Sequence, residues 1–371
     1  MPLRFKDLPV ADAVEQRMQL LEAKAGTPLP HLRHHSMDPE TMDRNTENFV
    51  GAVQVPLGIA GPLRVDEVEY IIPLATTEKG LVAGINRGCK ALNLCGGVRT
   101  LITNRGMTRA ATFECGSIGQ AAEFVEWIDR HHAEIKRRTE GKSRFIRLAA
   151  LQTQMVGRSV FLKFKCYTGD AMGMEMVTTG SDLACQWIAE QTHVLLVTIS
   201  GNMCVDKKPA ATNLENGRGR SVIAEGQLTS QVSLEVLHQS PESLQKVNYC
   251  KHVGSAMSGS FGFNAHFANI VAAMYIATGQ DPAQVVSGSL GATLIEPLDD
   301  GTFHVSVTVP CLETGTVGGG TGRETQSEVL RVLGLEGGAK SPGANADTLA
   351  RVIAAAVLAG ELSLLAKLCR L

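Results

Sequence analysis

Neither G-x-G-x-x-G nor G-x-x-x-x-G-K-[ST] occurs among the 371 residues, so the 38 glycines do not build a standard Rossmann or P-loop phosphate site. The ten histidines form no HExxH, and His34-His35 has no cysteine or acidic companion at ligand spacing, so no metal is expected. A G-x-S-x-G elbow is also missing. The nine cysteines (Cys89, Cys95, Cys115, Cys166, Cys185, Cys204, Cys250, Cys311, Cys369) include no CxxC pair and mostly sit in apolar runs. Reduced, buried thiols in a cytoplasmic protein are expected, not a disulfide frame. No apolar run approaches the roughly 18 residues needed to cross a bilayer. The first thirty residues carry Arg4, Lys6, Asp7, Glu15 and Arg17, so neither a signal peptide nor a membrane anchor is expected. Neither sign of charge dominates: 35 basic side chains face 37 acidic ones, which predicts no nucleic-acid or membrane partner. Any anion site must be local.

What is present is enough apolar content, 44%, for two or three cooperating domains. Val10 to Ala25 has helical apolar spacing, interrupted by Pro28 and Pro30, and residues 1–50 read as a helical arm. Gly-Pro punctuation and alternation through Val65, Val68, Tyr70 and Ile72 then predict short strands and turns. Thr76-Thr77 offer an N-cap for a helix carrying Leu81, Val82 and Ile85, with Glu78 in its first turn. Residues 111–198 form a self-contained pattern: a helix near Ala121 to Ile135, an alternating strand Arg158 to Cys166, and an apolar helix from about Asp182 to Gln191. This is a small α+β unit inserted between 51–110 and 199–371, which share a glycine-rich strand-and-helix style. Helices Phe267 to Thr278 and Asp347 to Leu368 flank a strand, Phe303 to Val309.

Three segments carry candidate chemistry. Asp170-Ala171-Met172-Gly173-Met174 follows a strand, where unhindered backbone can approach a dinucleotide. Gly315 to Thr321, with Gly318, Gly319 and Gly320 in succession, leaves amides uncovered for an anion; an ordinary tight turn is the alternative for both. Lys207-Lys208-Pro209 follows the β-like run Leu196 to Ile199. A desolvated ammonium there can stabilise an oxyanion, whereas an isolated Lys-Lys is more often solvated. Glu78, Arg87, Arg109 and Asp281 each read singly as ordinary first-turn, surface or turn residues.

In order along the chain, Glu47-Asn48-Phe49-Val50-Gly51, Ala75-Thr76-Thr77-Glu78, Asn86-Arg87-Gly88-Cys89, Gly106-Met107-Thr108-Arg109, Asp170 to Met174, Ser200-Gly201-Asn202 through Lys208-Pro209, Asn264-Ala265-His266, Gly279-Gln280-Asp281 and Gly315 to Thr321 resemble the 3-hydroxy-3-methylglutaryl-CoA reductase family. The likeness is to class I, which includes the eukaryotic and most archaeal enzymes. The resemblance implies an α+β fold: a helical N-terminal part, a large domain binding the CoA ester, and an inserted ferredoxin-like small domain binding NADP(H). It also implies a cytoplasmic homodimer with shared active sites, with tetramers found in the class.

The implied reaction is a two-step reduction of the CoA ester to mevalonate and CoA by NADPH. Lys207 would stabilise the oxyanion, Glu78 would donate a proton at the aldehyde stage, and Asp281 would hold both in the right charge state; in a dry site such a trio can exchange protons near neutrality. Arg109, Ser200, Asp206, Lys208, Lys251 and Asn269 would hold the hydroxymethylglutaryl group, and Arg87 would face the CoA phosphates. Ser143, Arg144, the Asp170 loop and the Gly315 loop would hold the cofactor, with Arg144 selecting the 2′-phosphate.

Two departures stand against the family pattern. Glu175, among the implied cofactor contacts, replaces the usual Asn; an acid there repels phosphate, which would admit NADH beside NADPH. The family's histidine follows shortly after Glu-Leu-Ser-Leu. Here Glu361 to Leu364 leads into Leu365 to Leu371, and no histidine follows His304, so either the sequence is cut short of it or the thiolate leaves another way. A catalytically impaired homologue is therefore one alternative. A cysteine-dependent acyl transferase using Cys89 or Cys204 is another, with no histidine at a recognisable spacing to either.

Overall fold

A computed structural model describes residue 5 and residues 7–371; the remaining residues at the start of the expected arm lie outside it. Helix Val10–Ala25 ends where Gly26 takes φ 71 and donates its amide to the Glu22 carbonyl. Arg33, on the short helix Pro30–Arg33, folds back to pair with Glu15 at 2.6 Å and Glu22 at 2.9 Å.

Alternating side chains next give a hairpin of β1 (Leu57–Val65) and β2 (Val68–Ala75), packed on helix Leu81–Leu94. Everything after it is organised by one long strand, β3 (Arg99–Glu114), which belongs to an eight-stranded sheet with β4 (Arg147–Val156), β5 (Ser159–Tyr167), β6 (Leu195–Thr198), β7 (Arg218–Leu228), β8 (Gly262–Phe263), β9 (Gly291–Pro297) and β10 (Phe303–Leu312). The first half of β3, Arg99 to Gly106, pairs with β7; the second half, Met107 to Glu114, pairs with β5. Gly106 marks the change of partner at φ 147, a conformation glycine adopts without strain.

Two hydrophobic cores lie along this sheet. The smaller gathers Met107, Phe113, Phe124, Ile135, Leu162, Phe164, Val177 and Ile188. Its helices differ in length from the sequence reading. The expected helix over 121–135 is two, Ile118–Arg130 and His132–Glu140, parted at His131; the expected helix from Asp182 begins at Met174, directly after Gly173 at φ 89. The larger core surrounds helix Ala344–Leu368, in which every residue from Val352 to Ser363 is buried.

That helix corrects the expectation about apolar runs. By length and composition it could cross a membrane, yet 89% of its most apolar stretch is buried inside the fold. Arg351 and Glu361 interrupt the apolar text but are both satisfied, Arg351 by Asp66 at 3.2 Å and Glu361 by the amides of Ala265 and His266 and the Thr293 hydroxyl. Helix Leu81–Leu94 meets it backbone to backbone: a Cβ on Gly88 would stand 1.9 Å from the Ala359 carbonyl oxygen, while one on Gly84 would find only Ser363 Oγ at 3.4 Å. Gly88→Ala is expected to destabilise the fold by about 3 kcal/mol through overpacking. Gly84→Ala, one turn away, should be neutral or stabilising by up to about 1 kcal/mol from helix propensity. Urea unfolding midpoints of the two variants check both.

Candidate functional site

After β6 the chain must turn tightly to bring Lys207 forward, and it does so with Asn202, Val205 and Lys207 at φ 66, 49 and 55. Three non-glycine residues in the left-handed region are costly and persist only where surroundings hold them. Here the Thr108 hydroxyl donates to the Cys204 carbonyl at 2.9 Å, Gly201 donates to Ala110, and Asn213 donates to the carbonyls of Val205 and Lys208. Lys207 Nζ lies 2.7 Å from Asp281 Oδ2, and the Asp281 carboxylate also caps the turn Pro282–Gln284 through the Ala283 amide. Asp206 receives Arg218 at 3.0 Å and Gln284 at 2.9 Å, and Lys208 donates to the Asp206 carbonyl. The side chains of Lys207 and Asp281 are 43% and 30% exposed, so within one chain the site is open to water, not dry, because it lies on a surface turn.

Arg109 leaves the second half of β3 and bridges to the neighbouring helix: it donates to Ser200 Oγ at 3.1 Å and, from Nε and Nη2, to Thr178 Oγ1. Ser200, Asp206, Lys207, Lys208, Arg109 and Asp281 thus form one group.

A second group gathers around Glu78. This residue is not in a helix first turn as expected: the helix begins at Leu81 behind Gly80, and Glu78 lies in the preceding loop with its amide donated to Thr76 Oγ1. Thr76 binds locally and so does not cap the helix. Asn269 donates to the Glu78 carboxylate. Arg87 is fixed by Ser363, donating to its hydroxyl and, at 2.7 Å, to its carbonyl. Lys251 carries its charge towards His266 and Glu361; burial and this ammonium together push the His266 imidazole down to about 4, and His266 Nε2 is buried without a partner.

Within one chain the two groups do not meet: of Glu78, Lys207 and Asp281, Lys207 pairs with Asp281 while Glu78 stands apart with Asn269. Asn269, the partner of Glu78, is near the start of helix Phe267–Thr278, and Asp281 follows its end. At 1.5 Å per residue the helix keeps them roughly 15 Å apart. Among the described residues no hydrogen bond or ion pair joins the groups.

Beside the Lys207 group lies a cavity of about 970 Å³, lined among others by Lys142, Ser143, Met172, Gly173, Met174, Glu175, Asp281, Gly318, Gly319, Gly320 and Arg323. The Asp170 and Gly315 loops are joined across it by an Ala171–Val317 bridge and by the Thr316 amide donating to the Asp170 carbonyl at 2.8 Å. Gly318 and Gly319, at φ 80 and 58, have nothing near the position a Cβ would take. Helix Met174–Thr192 starts there with no side-chain cap, and Arg323 Nε is buried without a partner. Uncovered amides, a helix N-terminus and two cations fit the pyrophosphate of a dinucleotide. Exposed Glu175 opposes them from the first helical turn.

Two expected cofactor contacts lie elsewhere. The buried Asp170 carboxylate accepts from the amides of Ala339, Gly343 and Ala346, so it anchors the start of helix Ala344–Leu368 and does not line the cavity. Arg144 stacks on Phe145 at 4.7 Å and does not line it either; the nearby cations are Lys142 and Arg323.

Sequence reasoning missed Arg218, Gln284, Glu313 and His266. The available signals were a charged residue between two glycines at Gly217-Arg218-Gly219, an acid after the apolar run ending at Leu312, and a motif histidine given no role. The two candidate cysteine nucleophiles differ: burial raises the Cys204 thiol, but hydrogen bonds with the Asp206 amide and the Ser200 hydroxyl outweigh it and leave the thiol below its usual range. Burial pushes the Cys89 thiol up to about 12, and no histidine contacts Cys89 or Cys204 among the described residues. Metal-ligand clusters are likewise absent among the described residues.

Fold and site together define a mixed α+β protein with a lysine–carboxylate turn at the edge of a dinucleotide-sized cavity. The family described as hydroxymethylglutaryl-coenzyme A reductase matches residues 13–370. The 3-hydroxy-3-methylglutaryl-coenzyme A reductases of Pyrococcus abyssi and Haloferax volcanii are 46% and 45% identical to the chain, covering 95% and 96% of it and 89% of their own lengths. The class II enzyme from Streptococcus pneumoniae, solved bound to NADPH, superposes with a TM-score of 0.74 over 95% of this chain and 96% of that one at 18% identity, a likeness of fold. The chain belongs to the hydroxymethylglutaryl-CoA reductase family.

Because folded His266 stays neutral down to about pH 4 while an unfolded histidine titrates near 6.5, the unfolded chain binds the extra proton between those values. His266 therefore leaves stability untouched above about pH 7 and subtracts from it as pH falls from 6.5 to 4, by up to about 3 kcal/mol. His266→Gln should flatten the acid limb of the unfolding free energy against pH by that amount while acting only through packing at pH 7.5. Parallel limbs for the two proteins would contradict it.

Proposed function

We propose that the chain reduces 3-hydroxy-3-methylglutaryl-CoA to mevalonate and CoA with NADPH. The observation that carries this reading is the Lys207–Asp281 pair beside a cavity suited to a dinucleotide, in a chain 46% identical over nearly its full length to an enzyme of that name. Its likeness to archaeal relatives at 45–46%, against 18% to the class II structure, supports class I. With helix Ala344–Leu368, of bilayer length, buried inside the fold, a soluble, cytoplasmic enzyme is our reading.

Lys142, Ser143, Gly173, Met174, Gly318 to Gly320 and Arg323 would hold the cofactor. When bound, NADPH supplies the hydride for each reduction. Lys207 directs its ammonium to the thioester oxygen and stabilises the charge that develops there, with Asp281 fixing its position. Arg109 and Lys208 offer cations to the substrate carboxylate, and Ser200 and Asp206 offer hydrogen-bond partners for its oxygens. Glu78, held by Asn269, delivers a proton to the aldehyde oxygen, and Lys251 adds positive charge on that side. Arg87 faces the CoA phosphates. Since Glu78 and Lys207 stand at opposite ends of helix Phe267–Thr278, we infer a homodimer in which a second copy completes each site.

A second reading, an impaired homologue, is favoured by exposed Glu175, whose carboxylate opposes the cofactor phosphates at the start of helix Met174–Thr192. Reduction of free mevaldehyde needs no thiolate proton, whereas the thioester step does. NADPH absorbance followed with each substrate separates the two readings. Turnover of both substrates is expected; loss of both with NADPH binding retained would favour the impaired homologue. Lys207→Ala is expected to lower both by about 1,000-fold, as for loss of an oxyanion donor; full activity in that variant would sink the mechanism.

A further inference from the structure

We propose that Arg218 is a positioning residue for Lys207, suspending the left-handed Lys207 turn from beneath the site. The inference rests on the function just proposed and adds a residue to it.

Arg218 begins β7 and its side chain has no exposure. Nη2 meets Asp206 Oδ1 at 3.0 Å, and Nη1 meets Gln284 Oε1 at 3.1 Å, while Gln284 Nε2 donates to the same Asp206 oxygen at 2.9 Å. Nε donates at 3.1 Å to the Thr108 hydroxyl, which in turn donates to the Cys204 carbonyl. One guanidinium therefore grips the turn at Cys204 and at Asp206, on the N-terminal side of Lys207. Through Gln284 it also grips the segment three residues after Asp281. The two loops whose side chains pair at Lys207 and Asp281 are thus fixed to each other from below.

The need for such a tether is visible in the backbone, because Lys207 at φ 55 occupies a conformation its side chain disfavours. Only an arginine has the planar fork to reach four acceptors at once; a lysine in its place satisfies Glu313 but not the rest. Glu313 is fully buried and accepts from Arg218 at 3.0 Å and from Ser287 through the same oxygen, while burial pushes its carboxyl above the usual range. A buried ion pair is often replaceable by neutral residues at little cost in stability, so stability alone does not account for this one. Its donors point at the Lys207 turn and, through Nη2, at Met174 Sδ 2.7 Å away on the cavity wall.

The test compares the parent chain with the double variant Arg218→Met/Glu313→Gln, which removes both buried charges together, with Arg218→Lys, and with Gln284→Met. Thermal unfolding, NADPH-binding stoichiometry by fluorescence, and kcat and KM with mevaldehyde are measured for each. The double variant is expected to fold and to bind NADPH at full stoichiometry, with KM within about threefold and kcat lower by about 100-fold, the scale of a misplaced catalytic group. Arg218→Lys should restore no more than about a tenth of the parental kcat, and Gln284→Met should lower kcat about tenfold. A folded double variant with kcat within twofold of the parent overturns the proposal. So does a kcat loss that merely follows a loss of NADPH-binding sites, which marks a structural role. If neither Arg218 variant folds, unchanged kcat in Gln284→Met overturns it by itself. A parent chain that oxidises NADPH with neither substrate rejects the proposed function, a result distinct from all of these.

Discussion

Two buried guanidiniums at the start of β7 hold the molecule together where its parts converge. Arg218 and Arg220 flank Gly219, where φ 71 and a register shift against Leu312 break the regular alternation of the strand. Arg218 serves the Lys207 turn. Arg220 donates to Asp347 at 2.6 Å and to the carbonyls of Thr314 and Gly169, so it ties the central helix Ala344–Leu368 to both loops of the cavity. Glycines alternate with them: Gly217 and Gly219 have φ 62 and 71, and a Cβ on Gly219 would stand 2.5 Å from the Leu312 carbonyl oxygen. The close approach lets neighbouring carbonyls and carboxylates reach both arginines, which is what makes burying the charges tolerable.

Strand β3 explains why this junction exists. Its two halves serve different partners, and the change at Gly106 lies opposite Gly219 on β7. Thr108 and Arg109 follow at once on β3, one binding Arg218 and the other Ser200. The site therefore forms where the smaller core ends and the larger one begins, and its geometry depends on the register of one strand. A slip of one residue would turn Arg109 and Thr108 to opposite faces.

How much of this was legible in the sequence follows from range. Helices Val10–Ala25 and Phe267–Thr278 could be read to the residue because apolar spacing and a terminal glycine are local signals. The cavity loops were legible too, since only their glycine runs were needed. Asp170 was misread because its three amide partners come from about 170 residues away, and nothing local distinguishes a carboxylate facing a ligand from one capping a distant helix. Arg218 and Glu313 were passed over for the same reason: the two are 95 residues apart in the chain and meet only once the strands are paired.

The distance between Glu78 and Lys207 has the largest chemical consequence. Helix Phe267–Thr278 buries Phe267, Ile270, Val271, Met274 and Tyr275 in the larger core, so it cannot shorten or bend to bring its ends together. Glu78 is tied to its first turn by Asn269, and Asp281 is fixed beyond its last by capping the Pro282 turn. No rotation of side chains spans roughly 15 Å, since even an extended lysine reaches less than half of that. If both groups act on one substrate, the second must come from another copy of the chain. The openness of Lys207 is then not a weakness of the site but the face on which that copy would close, and water would leave the ammonium only on assembly. Electrostatic stabilisation of an oxyanion grows as water is excluded, so the reactivity of Lys207 would depend on association as much as on its own loop.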